Sequence, residues 1–160
     1  MKPKVLHIVR HGKALQDAYE ILDHDRPLTV RGILNSITVA NNLITLYSAP
    51  DLIISSYATR ALHTAHIFAR VMGYPHENVQ VKECLYFKGD NEVYTVLKSL
   101  PDSINEVMIV GHNPDLTYVV RRFRMQIDNL STSGAASLTF ETSNWSDIYN
   151  SKAKHTYITK

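Results

Sequence analysis

Short apolar runs and longer helical patterns alternate along the chain, and the apolar runs predict strands. Residues 4–9 form a near-continuous apolar run, which is typical of a central strand covered on both faces. Residues 52–55 and 107–110 follow the same pattern. Shorter runs predict three further strands, at residues 79–81, 136–141 and 155–158.

Between the predicted strands, apolar residues recur at helical spacing. Thr29 is a plausible N-cap for a first helix, which carries Ile33, Ile37, Ala40 and Ile44 and ends before Pro50. A second stripe runs over residues 58–72 and stops at a glycine in the C-cap position. These patterns predict two amphipathic helices on either side of the second strand.

Two more helices are predicted in the second half of the chain. Residues 91–100 carry an apolar stripe that stops before Pro101. Asn113 can cap a further helix that has Pro114 at its first position. The alternation of strand and helix predicts an α/β fold, a three-layer α/β/α sandwich with a mostly parallel central sheet. Its length suits one domain over residues 1–160.

Composition narrows the classes of function. The chain has 17 Lys and Arg against 15 Asp and Glu, and a net charge of +2 is too small to imply nucleic acid. Cys84 is the one cysteine, so neither an intrachain disulfide nor a thiolate metal cluster can form. No apolar run approaches the roughly 20 residues of a membrane span, and the N-terminal run contains His7 and lacks signal-peptide character. We therefore expect a cytoplasmic protein with no membrane partner.

Three polar stretches follow predicted strands, namely residues 10–12, 55–60 and 111–114. Ligands of such sheets bind beyond the carboxyl ends of the strands, so the fold would bring these stretches together. Each stretch alone could be an ordinary surface loop. Arg10 and His11 beside a glycine, Arg60 near a helix start and His112 beside another helix together favour a shared anion site.

These stretches resemble motifs of the histidine phosphatase superfamily, most of all its short SixA-like branch of phosphohistidine phosphatases. The resemblance runs from Val5 to about Phe140 and implies a phosphoglycerate mutase-like fold. Its motifs are Arg10-His11-Gly12-Lys13-Ala14, Arg26-Pro-Leu-Thr-x-x-Gly32, Ser56-x-x-x-Arg60-Ala-x-x-Thr-Ala65 and Gly111-His-Asn-Pro114.

The resemblance also implies roles for individual residues. His11 would be the nucleophile that takes the phosphoryl group, and Arg10, Arg60 and His112 would bind the phosphate. Arg26 matches a further arginine that contacts phosphate in the short branch. No metal or organic cofactor is expected. The partner would be a protein phosphorylated on histidine or a small phosphate ester, and free phosphate or sulfate should fit the same site.

This sequence departs from larger members of the superfamily at the position of the general acid, where those members carry Glu or Asp. The corresponding position lies near Phe87, which cannot donate a proton. Glu83, Asp90 and Glu92 are close in sequence, and either one of them or none acts as the acid. An alcohol leaving group needs a proton donor, whereas the imidazole of phosphohistidine departs more readily. A weak or absent general acid in this site therefore favours a phosphohistidine substrate.

Two other functions stay open at this stage. A phosphatase for small esters would need a carboxylic acid within reach of the leaving group. A non-catalytic phospho-ligand binding module would have no need of His11. Few residues separate Gly12 from Pro27, so little chain is left for a lid and we expect an open, shallow site.

Overall fold

A six-stranded sheet runs through the centre of the computed structural model, which describes residues 2–16 and 20–159. The strands are β1 (Lys4–Arg10), β2 (Leu52–Ser55), β3 (Gln80–Val81), β4 (Glu106–Gly111), β5 (Ala135–Phe140) and β6 (Ala153–Ile158). The α-helices are α1 (Val30–Leu43), α2 (Thr59–Met72), α3 (Asp90–Lys98) and α4 (Asp115–Arg122). The predicted elements are thus present, and the bounds of the strands differ from the predicted ones by at most two residues.

The strand order is β3-β2-β4-β1-β5-β6, so β1 lies near the centre of the sheet. The strands β1 to β4 pair in parallel, while β5 pairs antiparallel with both β1 and β6. The prediction of a mostly parallel sheet is confirmed. Because β1, β4 and β2 are neighbours and run the same way, their carboxyl ends meet at one edge.

Helices cover both faces of the sheet, which confirms the three-layer sandwich. Side chains alternate between the faces along β1, so Leu6 and Ile8 enter one core and Val9 enters the other. The first core contains the apolar sides of α3 and α4, and the second contains those of α1 and α2. Burial of these two apolar layers is the main favourable contribution to folding.

The helix ends follow the sequence signals in most places. The Thr29 hydroxyl accepts a hydrogen bond from the Gly32 amide at 3.0 Å, so it caps α1 as predicted. Gly73 ends α2 in the left-handed conformation, with φ +74°. Pro114 is the cap of α4 rather than its first residue, while the Asn113 side chain accepts from the Thr117 amide at 3.2 Å.

The buried face of α1 differs from the predicted stripe. Ile44 is exposed, and Ile33 and Ile37 are half-buried. The buried residues of this helix are Gly32, Ser36, Val39, Ala40 and Leu43. The helix is rotated by about one residue because its first turns pack against the loop after β1. A Cβ atom on Gly32 would lie 2.2 Å from the Lys13 carbonyl oxygen, so larger side chains do not fit there.

The described parts of the polar loop between β1 and α1 contain regular structure that the sequence did not predict. Ala14 and Leu28 form an antiparallel bridge, and Asp23–Asp25 form one turn of 3₁₀ helix. This turn lies against α2. Within the described residues, none of the helices combines the length and apolar character that crossing a membrane requires.

Candidate active site

The three polar stretches meet at the carboxyl edge of the sheet. The rings of His11 and His112 lie 5.1 Å apart between centroids, because β1 and β4 are adjacent parallel strands. Arg60, in the first turn of α2, directs its Nε toward Nε2 of His11 at 3.4 Å. The expectation that these strand ends converge is therefore met in the geometry.

His11 is held in one orientation. Its Nδ1 lies 2.7 Å from the carbonyl oxygen of Gly12, so Nδ1 carries the proton and donates it to this carbonyl. Nε2 is then unprotonated, which agrees with its position as acceptor for the Arg60 Nε–H group. An imidazole in this tautomer presents a lone pair on Nε2, which is the atom a nucleophilic histidine uses.

The same surroundings keep His11 uncharged. Burial is the main cause that lowers its pKa to about 4, and the positive charges of Arg60, Arg10 and Arg26 lower it further. The hydrogen bond to Gly12 acts in the opposite direction. The ring is therefore neutral over the physiological range.

We expect His11 to titrate near pH 4 in the folded protein, whereas an unperturbed histidine titrates at about 6.5. The unfolded chain then binds more protons between these two values, so this residue contributes stability that is lost as pH falls from about 6.5 toward 4. Ring carbon–proton NMR, with the signal assigned by His11→Gln, measures the midpoint. A midpoint between 6 and 7 would contradict the buried, charge-surrounded environment.

The backbone at Gly12 is pressed between two helices. Its amide donates to the Thr64 hydroxyl on α2 at 2.9 Å. A Cβ atom on Gly12 would lie 2.8 Å from the Gly32 carbonyl oxygen on α1, so a larger residue would push the loop away. Thr64 and Gly32 both belong to the motifs noted in the sequence, and they hold the carbonyl that fixes the His11 tautomer.

His112 is buried and supported by Ser56. Its Nε2 lies 2.8 Å from the Ser56 hydroxyl, which also accepts a hydrogen bond from the Ala58 amide. Among the described residues, Nδ1 of His112 has no hydrogen-bond partner. Burial and the neighbouring His11 and Arg60 lower its pKa to about 2. A buried Nδ1–H group without a partner can donate to a bound oxyanion.

Arg10 is held by the segment between α4 and β5. One terminal nitrogen donates to the Leu130 carbonyl at 3.0 Å, and the Ser133 amide donates to the Arg10 carbonyl. Its buried Nε has no partner within the described part of the chain. Burial lowers the pKa of Arg10, and the guanidinium stays charged at neutral pH.

Arg60 contacts a residue that the sequence analysis did not single out, Asp23. The Arg60 side chain is 1% exposed, and its two terminal nitrogens donate to the Asp23 carbonyl at 2.6 Å and to the Asp23 carboxylate at 3.0 Å. The Tyr86 hydroxyl donates to the same carboxylate oxygen. The signal in the sequence was slight: one acidic residue, in a polar loop, three positions before Arg26.

Arg26 is also bound to Asp23. Its Nε and one terminal nitrogen each lie 3.0 Å from the second carboxylate oxygen, and its other terminal nitrogen donates to the Leu15 carbonyl at 2.8 Å. The structure thus places Arg26 beside the site through Asp23. Direct contact between Arg26 and phosphate stays a prediction.

Phe87 occupies the position near which a general acid was sought. Its ring lies 4.6 Å from the His112 ring and 6.0 Å from the Arg60 guanidinium. It is 47% exposed, and its backbone is in the left-handed region, with φ +53°. Tyr86 and Tyr57 continue the aromatic rim, with ring centroids 5.0 Å apart.

The three carboxylates near Phe87 in sequence are placed differently from Asp23. Asp90 is the first residue of α3, and its carboxylate lies 3.6 Å from the Arg122 guanidinium. Glu83 is exposed. Within residues 2–16 and 20–159, no hydrogen bond joins Glu83, Asp90 or Glu92 to the two site histidines. In the same described part of the chain, no group of three His, Cys, Asp or Glu residues could hold a metal ion.

Two neutral imidazoles among guanidinium groups, at the carboxyl edge of a three-layer α/β sheet, define an oxyanion site of the kind used in phosphoryl transfer. The chain belongs to the histidine phosphatase superfamily, because the model of branch 1 of that superfamily matches residues 6–86. An uncharacterised chloroplastic protein of Arabidopsis thaliana is 29% identical over 153 residues, which is 90% of this chain and 70% of the relative. An uncharacterised Picosynechococcus protein is 34% identical over 69% of this chain and 67% of its own length.

Solved structures give the same fold. A SixA protein from Agrobacterium tumefaciens superposes with a TM-score of 0.84 at 22% identity and covers 99% of both chains. The protein histidine phosphatase SixA complexed with tungstate gives 0.80 at 24% identity, covering 97% of this chain and 96% of that one. The expected phosphoglycerate mutase-like, SixA-like fold is confirmed. Membership of the histidine phosphatase superfamily supports phosphatase activity.

Proposed function

We propose that this protein is a phosphohistidine phosphatase in which His11 is the nucleophile. The observation that carries the proposal is the pose of His11, whose Nδ1–H is bound to Gly12 while its Nε2 faces Arg60. Arg10, Arg60 and His112 are the proposed phosphate ligands, and Arg26 acts beside them through charge. Two of them have buried nitrogens without a partner in the described chain, as a site for an oxyanion requires.

The proposed reaction has two steps. Nε2 of His11 attacks phosphorus of a phosphohistidine whose other ring nitrogen is protonated, and a new P–N bond forms. The old P–N bond breaks with its electron pair, so the substrate imidazole departs neutral and the phosphorylated His11 ring keeps its Nδ1 proton and carries the positive charge. Water then attacks the phosphoryl group on His11, which releases inorganic phosphate and restores the neutral imidazole. The guanidinium groups offset the negative charge that spreads over the peripheral oxygens in both steps.

The site favours a leaving group that departs without a strong acid. Phe87 lies over His112, and Asp23 is the carboxylate bound to Arg60. Partial burial alone would raise the pKa of Asp23, but hydrogen bonds from Tyr86 and Arg60 outweigh it and hold this pKa well below its usual range. Asp23 is therefore ionised and unsuited to donate a proton.

The aromatic rim supports the same substrate. Tyr86 packs edge-on to His112 with a centroid distance of 5.2 Å, and Phe87 is half exposed beside it. A flat imidazole ring on a partner protein can stack against such a surface, which favours offset or edge-to-face contacts. The half-exposed Phe87 and Asp23 also agree with an open site suited to a protein side chain.

A substrate panel tests the proposed function. We expect a peptide carrying phosphohistidine to be hydrolysed at least about a hundredfold faster than phosphoserine or sugar phosphates, with phosphotyrosine between them. The assay contains excess chelator, because the proposed roles use no metal. Equal rates on phosphohistidine and sugar phosphates would contradict the proposed substrate class.

A phosphatase for small esters is the second candidate, favoured by Asp115 alone. Burial raises the pKa of this carboxyl, which accepts from the Gly89 amide two residues after Phe87. Faster turnover of a sugar phosphate in the panel would support this reading. Phosphate binding without turnover would instead indicate a binding module. We further propose that residues 1–160 form one catalytic domain, which acts on a phosphorylated partner in the cytoplasm.

A further inference from the structure

We propose that Asp23 is a positioning residue that orients Arg60 for phosphoryl transfer at His11. The inference rests on the proposed function for its catalytic consequence and on geometry for its structural part. Asp23 accepts from both terminal nitrogens of Arg60, through its carbonyl and its carboxylate. It thereby holds the end of the guanidinium and leaves the Nε edge directed at His11.

The remaining contacts of Asp23 show that its carboxylate is built into the site. One oxygen accepts from Arg60 and Tyr86, and the other accepts from Arg26. Tyr86 and Arg26 lie on separate segments, so the carboxylate joins three parts of the site rim. The Asp23 side chain is 50% exposed. A side chain surrounded only by solvent would rotate freely, so these hydrogen bonds are what fix its orientation.

Arg60 needs such a partner because it is almost completely buried. A buried guanidinium without an acceptor is costly, and its orientation would otherwise be set by weak contacts. A guanidinium presents rigid paired N–H groups, so fixing one edge also fixes the direction of the other. Asp23 therefore sets where the Nε–H group meets a phosphoryl oxygen on Nε2 of His11.

Charge balance adds to the same conclusion. Asp23 neutralises one of the three arginine charges around His11, so about two positive charges remain. This number matches the two negative charges of a phosphoryl group. Removal of the carboxylate leaves more positive charge. Anion binding should then be retained or strengthened, while alignment is lost.

The experiment compares Asp23→Asn, Asp23→Glu and the control Asp25→Asn. Asp25 lies in the same turn, is exposed, and contacts His24 instead of the site arginines. With an aryl phosphate substrate, we expect Asp23→Asn to lower kcat by about ten- to a hundredfold without raising the inhibition constant of inorganic phosphate. Asp23→Glu should recover part of the loss, and Asp25→Asn should change kcat by less than about twofold.

A double mutant separates positioning from a general structural effect. In an Arg60→Ala background, Asp23→Asn should lower kcat further by less than about twofold, because its target is gone. Additive losses would overturn the proposal. A rise in kcat/KM of Asp23→Asn would also overturn it, since Asp23 would then be a competitor for the phosphate site.

NMR of the arginine Nε–H groups gives a readout that needs no turnover. Wild-type protein should show a slowly exchanging Arg60 Nε–H signal, assigned by Arg60→Lys, and Asp23→Asn should shift it or broaden it beyond detection. An unchanged signal would refute the positioning role. If the wild type binds inorganic phosphate but hydrolyses no phosphate substrate, the proposed function fails, while this signal still decides the role of Asp23.

Discussion

His11→Ala abolishes turnover, with an expected loss of at least about a thousandfold, or about 4 kcal/mol in the activation free energy. The reason is that, in the proposed mechanism, Nε2 of His11 forms the covalent bond to phosphorus, and the nearby guanidinium groups cannot replace a nucleophile. The fold should survive, because the ring contacts the Gly12 carbonyl and Arg60 at the edge of the sheet rather than filling either core. Circular dichroism and phosphate binding verify this.

The control for this variant is His63→Ala, which changes an exposed histidine on α2 and should keep activity within about twofold. Rapid quenching with labelled substrate should place acid-labile, base-stable phosphate on His11. If the label is found on His112, or His11→Ala retains more than a few per cent of activity, the assignment of the nucleophile is wrong.

The rate on aryl phosphates should depend steeply on the leaving group, falling by roughly tenfold for each unit rise in its pKa. In the proposed site no group protonates the departing oxygen, because the ring next to His112 belongs to Phe87, which has no proton to donate. Across three units this amounts to about a thousandfold. The rate on phosphohistidine should be unaffected when Glu83, Asp90 or Glu92 is replaced singly by its amide.

Phe87→Glu tests this explanation directly, with Phe87→Leu as the apolar control. A carboxyl beside His112 should accelerate esters with poor leaving groups and flatten the slope, while leucine should leave the slope unchanged. A shallow slope in the wild type, together with a hundredfold loss on replacing one of the three carboxylates or Asp115, would reveal a hidden acid. Such a loss is about 2.7 kcal/mol, an ordinary contribution for a general acid, and small esters would then be the preferred substrates.

The framework of the site could be predicted from sequence because it depends on strand ends. Apolar runs identify β1, β2 and β4, and parallel pairing of these strands necessarily collects Arg10, Arg60 and His112 at one edge. The buried face of α1 was predicted wrongly, because a prediction from apolar periodicity assigns Ile33 and Ile37 to the core. The residues that are buried instead include Gly32 and Ser36. The packing of the loop after β1 instead selects the small residues.

Asp23 could not be predicted for a different physical reason. Besides Arg26, its partners are Arg60 and Tyr86, which lie 37 and 63 positions away. These two contacts depend on how a polar loop without apolar periodicity folds back over α2. A single carboxylate in such a loop is normally solvated. Tertiary structure alone reveals that it joins the arginines of the site.

The position of β1 in the sheet has a consequence for synthesis of the protein. His11 is synthesised before the strands that complete its surroundings, because β1 pairs in parallel with β4, about a hundred residues later, and with β5 beyond that. The Ser133 amide donates to the carbonyls of Arg10 and His11, and the Leu130 carbonyl accepts from the Arg10 side chain. A nascent chain on the ribosome therefore carries His11 without a working site until β5 has emerged. Pairing of strands so far apart in sequence is slow, so the apolar residues of β1 stay exposed until β4 and β5 can cover them.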